Sequence, residues 1–90
     1  MYENPRFVWP ILDQADSSVL ARRYRYEQVF KAAFAYRPTL WTARVLDEQS
    51  TSICVQFEDA RGKDYGPPIR FSGMCEQKDI AERTTFLPWE

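Results

Sequence analysis

Five consecutive residues, Arg22-Arg23-Tyr24-Arg25-Tyr26, form the densest concentration of recognition chemistry in the chain. Guanidinium groups bind phosphate oxygens and tyrosine rings stack on exposed bases, so the run fits a nucleic-acid-binding module. The plainer alternative is a solvated helix face with the tyrosines beneath it and Arg23 pairing Glu27 four residues on. A continuous helix would spread Arg22, Arg23 and Arg25 over much of its circumference and disperse the patch. No motif of a named nucleic-acid fold accompanies it.

The second candidate set is aromatic: Trp9, Trp41, Tyr65 and Trp89, with Tyr2. Aromatics make up 16% of the 90 residues, a high share for so short a chain. A small domain has little interior, and Trp and Tyr beside Arg are the residues that anchor protein interfaces. The plainer alternative is that the terminal arms lay these rings over the sheet. A small-molecule pocket between helix and sheet would also be aromatic-lined, though the chain is short for enclosing one.

Catalytic chemistry has few candidates. The sequence contains no histidine, the commonest general base and metal ligand. Its glycines stand apart at 62, 66 and 73, so no phosphate-cradling loop is present. The acid pairs Asp47/Glu48 and Glu58/Asp59 fall where hairpin ends are expected, and solvated charge belongs there. Cys54 and Cys75 match no metal spacing and make no disulfide framework. Both read as reduced thiols of a cytoplasmic protein. Apolar runs of only a few residues leave nothing to span a membrane.

These residues point to a small non-enzymatic protein-binding or accessory domain, without cofactor or metal, acting on a protein partner or on its own copy. The alternatives are a nucleic-acid-binding module and a small-molecule-binding domain. The net charge of −1 suggests no polyanionic partner, but the charge is unevenly placed. Residues 20–44 carry six basic side chains against one acid, and residues 45–90 carry five against nine.

The elements that must position these groups follow from periodicity. Tyr26, Val29, Phe30, Ala33 and Phe34 have the i, i+3, i+4, i+7, i+8 spacing of one helical face. Val19, Leu20, Arg23 and Tyr24 extend it backwards, and Asp16, Ser17 and Ser18 are N-cap types. The spacing predicts one helix over 18–37, closed by Pro38. The alternation at 22–26 would allow a break there instead. Phe7 and Trp9 share one side of a short lead-in strand, which Pro10 confines to an edge.

Strands are predicted at 40–46, with Trp41, Ala43 and Val45 on one side, and at 51–58. In the second, Ile53, Val55 and Phe57 face inward, and Ser52, Gln56 and Glu58 face water. Residues 47–50 make the first turn. Asp59-Ala60-Arg61-Gly62 makes the next, with Gly62 at positive φ. A third strand follows around or after Gly66-Pro67-Pro68. Residues 74–83 have the composition of a short helix, and 84–89 are β-prone. The fold class is α+β: a three- or four-stranded antiparallel meander with one long amphipathic helix on one face. It forms one domain over 1–90, with 1–16 and 84–90 as docked arms.

Overall fold

The computed structural model describes residues 6–14, 16–35 and 42–87. They form β1 (Arg6–Val8), α1 (Ser17–Ala33), β2 (Thr42–Glu48), β3 (Ser52–Glu58), β4 (Ile69–Ser72) and α2 (Gln77–Arg83). The fold is α+β. Its four strands lie in the order β1-β2-β3-β4, and α1 packs on one face of the sheet through Tyr26, Phe30 and Phe34.

The sheet is mixed rather than wholly antiparallel. β2, β3 and β4 form the expected meander, but β1 pairs with β2 in parallel, Phe7 opposite Ala43. The reason is the connection: the long stretch between β1 and β2 includes α1, which carries the chain back across the sheet, so both strands run the same way.

α1 is continuous through residues 22–26. Asp16 caps it, its Oδ1 accepting from the Ser18 N–H at 2.9 Å and from Ser18 Oγ at 2.7 Å. The helix ends at Ala33, short of residue 37. Phe34 leaves helical geometry, bonds its N–H to Phe30 O and buries its ring completely. Val19 and Arg23 continue the inward stripe as expected, but Leu20 and Tyr24 face solvent. Both lie on the flank beyond Arg23, where no described element covers the helix.

Phe30 is the centre of the core. It meets Phe71 edge-on at 4.9 Å, Phe7 edge-on at 5.0 Å, and the tilted rings of Phe34 and Phe57 at 6.1 and 6.3 Å. Ala43, Val45, Ile53, Val55, Phe57, Ile69 and Phe71 complete the sheet's inner face, as alternation requires. The lead-in arm is pinned here: Phe7 stacks on Trp9 at 5.1 Å, and Trp9 tilts against Tyr26.

Three details depart from the sequence reading. Asp47 and Glu48 belong to β2, not to the turn, which begins at Gln49. A bulge at Leu46 shifts the register between Val45 and Asp47, so Asp47 pairs with Cys54 and Glu48 with Ile53. Gln56 is buried, at 3% exposure, although it lies on the outer face. The loop after β3 folds back over it, and its Nε2 donates to Phe57 O and Gly66 O. Residues 84–87 form turns rather than a strand. Thr84 Oγ1 donates to Ile80 O, Leu87 enters the core, and Phe86 stacks on Tyr65 instead of joining the N-terminal arm.

The turn at 59–62 is as expected. Gly62 has φ 82° and donates to Asp59 O, while Asp59 Oδ1 accepts from the Arg61 and Lys63 N–H groups. Gly66, with φ 75°, lies under the Phe86 ring, where a Cβ would fall 2.6 Å from Cδ2. At the far edge of the sheet, the carbonyls of Arg70 and Ser72 are taken by Arg83 Nη1 and the Cys75 N–H.

Candidate functional site

The basic-aromatic run divides around α1. Arg23 and Tyr26 turn inward, Arg22 is half-buried, and Tyr24 and Arg25 face out. Tyr24 is 66% exposed. Arg25 Nη2 donates to Cys75 O at 3.1 Å, tying α1 to the segment before α2. Tyr26 packs in the core; its hydroxyl is buried without a hydrogen-bond partner among the described residues, and burial raises its pKa.

Arg23 organises its surroundings. Its Nε and Nη2 donate to the two oxygens of Glu48 at 2.9 and 2.6 Å, and Nη2 also donates to Pro10 O at 2.9 Å. Its guanidinium lies over the Trp9 ring, 5.0 Å from the centroid. It therefore pairs with Glu48 on β2 rather than with Glu27 one turn away. Glu27 is engaged elsewhere, accepting from Trp9 Nε1 at 2.7 Å. The Glu48 hydrogen bond is the main reason the Arg23 pKa rises above that of an ordinary arginine.

The bulge at Leu46 makes this pair possible. Without the extra residue, strict alternation from Val45 would put Asp47 on the helix side and Glu48 outside. With it, Glu48 shares a face with Ile53 and meets Arg23. Asp47 moves to the outer face, where its Oδ2 accepts from Arg70 Nη2 at 2.6 Å across β3. That bond, first among the causes, lowers the Asp47 pKa.

An exposed apolar rim, Ile11, Leu20 and Tyr24, lies on the two segments that Arg23 joins. Of the six large apolar side chains exposed among the described residues, Val8, Ile11, Leu20, Tyr24, Leu46 and Met74, all but Met74 flank this centre in sequence. Ile11 follows Pro10, and Leu20 and Tyr24 flank Arg23 on α1; Val8, next to inward Phe7 and paired with Arg44, opens onto the outer face of the sheet, and Leu46 stands at the bulge. Ile11 is 94% exposed. Sequence reasoning missed Val8, Ile11 and Leu46, and it placed Leu20 inside.

Of the aromatic candidates, Trp9 is half-buried at the heart of this rim. Tyr65 is also half-buried, on the opposite side of the core against Phe86, so the two do not form one surface. Trp41 and Trp89, like Tyr2, lie outside the described residues.

The acid pairs are built into structure. Arg44 Nε bonds Glu58 at 2.9 Å, and Asp59 holds its turn. Cys54 and Cys75 are free thiols, Cys54 half-buried and Cys75 buried; burial raises the Cys75 pKa. Among the described residues no group of three or more His, Cys, Asp or Glu side chains could hold a metal. No helix among them is long and apolar enough to cross a membrane. An open groove of about 410 Å³ runs between α1 and the start of α2, past Arg25, Val29 and Cys75.

No protein-family model, curated protein or solved structure matches the chain.

Proposed function

We propose that this chain is a non-enzymatic protein-binding module and that its contact surface is the apolar rim around Arg23 and Trp9. The observation that supports this reading is the exposure of Ile11, Leu20 and Tyr24 on the two segments that Arg23 joins, beside one fixed ion pair. Exposed apolar side chains scattered singly need no explanation, whereas a collected set marks an interaction surface. A preformed surface also spares the ordering cost that binding otherwise imposes, and the bonds of Arg23 to Glu48 and Pro10 fix three segments of this one in advance. Two free thiols agree with a cytoplasmic setting. The nucleic-acid reading has less support, because Arg23 and Tyr26, two of its five residues, are turned inward.

Capture by the immobilised chain tests the proposal. Ile11→Asp and Leu20→Asp each place a charge on the rim at an exposed site, where the fold tolerates it. A protein retained by the wild-type chain and lost by both variants, at unchanged melting temperature, is the expected result. Retention by both variants at the wild-type level refutes the proposal.

A further inference from the structure

One flank of α1 is self-complementary. At 100° per residue, Leu20, Tyr24, Glu27 and Lys31 fall within about 60° of one another, and all four are exposed. Their 4-3-4 spacing is that of a helix-pairing seam. The two ends of the seam carry opposite charge. Asp16 caps the N-terminal end and Asp13 precedes it, both exposed, while Lys31 stands near the other end. Neither Asp13 nor Lys31 has an ion pair among the described residues. The middle is apolar at Leu20 and Tyr24, and Glu27, which accepts from Trp9 Nε1, stands between them and Lys31.

A surface of this kind fits a particular occupant. A two-fold interface presents the same patch from both sides, so residue i meets j while j meets i. An acidic end, an apolar middle and a basic end match their own copy when two helices lie antiparallel. Asp16 and Lys31 are about 22 Å apart along the axis, and the midpoint of that span falls beside Tyr24. We propose that the occupant of the rim is a second copy of this chain, with α1 docked antiparallel to its mate. Tyr24 then lies near the two-fold axis, Leu20 packs beside it, and Lys31 of each copy faces Asp13 and the Asp16 cap of the other. This rests on the protein-binding reading and names the partner.

Sedimentation equilibrium of the full chain with a charge exchange tests it. The wild-type chain should dimerise. Lys31→Asp alone puts like charges across the interface and should weaken the dimer about tenfold, and Asp13→Lys, which sets a like charge against Lys31 beside the opposite charge of Asp16, should weaken it less. Mixing the two variants keeps the wild-type charges at one contact and sets an opposite pair at the other, so the heterodimer should be tighter than either variant's own dimer. Tyr24→Arg should abolish association. A wild-type chain that stays monomeric at its highest soluble concentration overturns the inference, and so does a dimer indifferent to the three substitutions. If the chain is monomeric while Ile11→Asp still abolishes protein capture, only the second copy is refuted and the protein-binding reading stands.

Discussion

Replacing Glu48 with Ala strips Arg23 of both carboxylate bonds and leaves it Pro10 O alone. The two side chains are 11% exposed, so the stranded guanidinium cannot rehydrate without moving. It cannot shed its proton either, since an arginine stays charged throughout the working pH range. Breaking a buried pair from one side costs about 3–5 kcal/mol. The residual exposure lets some water reach the charge, which puts the loss near the low end, about 3 kcal/mol. For a domain of this size the melting temperature should fall by roughly 12–24 °C. Replacing Arg23 and Glu48 together with Met removes both charges and keeps much of the volume, so most of the loss should be recovered. Urea denaturation of wild type, both single Met variants and the double variant closes the cycle, with an expected coupling of about 2 kcal/mol. A loss below about 1 kcal/mol for Glu48→Ala is the size of an ordinary surface pair. It would refute the claim that this contact fixes the rim.

The two positive-φ glycines should differ. Gly62 opens onto space, so Gly62→Val costs only backbone strain, about 1 kcal/mol or more. Gly66→Ala adds a clash with the Phe86 ring and should cost about 1–3 kcal/mol beyond the strain; equal losses in denaturation would contradict this. Hydrogen bonds hold the carboxyls of Asp16, Asp47 and Asp59 below their ordinary value of 3.8. Their contribution is therefore complete above 3.8 and fades as pH falls through the folded values, so denaturation midpoints should drop in acid, less steeply in Asp47→Asn. Cys75 is shifted the other way, above 9.0, so its contribution is present below 9.0 and lost as pH rises beyond it. A thiol reagent should accordingly label Cys54 before Cys75. Finally, Arg22→Glu with Arg25→Glu, which spares the Arg23–Glu48 pair, should leave no salt-sensitive nucleic-acid binding to lose. Binding by the wild-type chain that this variant abolishes would favour the nucleic-acid reading.

What could be read from the sequence was whatever a period encodes. The stripe through Tyr26, Phe30 and Phe34 located α1, and Ile53, Val55 and Phe57 located the inner face of β3. Asp59 and Gly62 named their turn through local chemistry. What escaped were the features set by distant parts of the chain. Nothing near Leu46 marks a bulge, because its register depends on which β3 residues stand opposite. With the bulge unread, Glu48 looked like a turn residue, and Arg23 was given its nearest acid, Glu27, rather than the one across the sheet. Gln56 obeyed alternation and was still buried, because a loop covers the outer face there. The candidate surface was half legible: Trp9 and Tyr24 drew notice as residue types, but Ile11 reveals itself only by being exposed.

The far edge of the sheet has a consequence for how the protein can go wrong. Alternate carbonyls of an edge strand point outward and can template another strand. On β4 the two at Arg70 and Ser72 are occupied by Arg83 and the Cys75 N–H. Strand-by-strand growth needs two receptive margins, one to join and one to be joined, and among the described residues the β4 margin has these two acceptors taken. With those acceptors taken, β4 is the poorer margin for a further strand to join. Arg83→Ala would free the Arg70 carbonyl for another strand, and concentrated protein should then aggregate sooner.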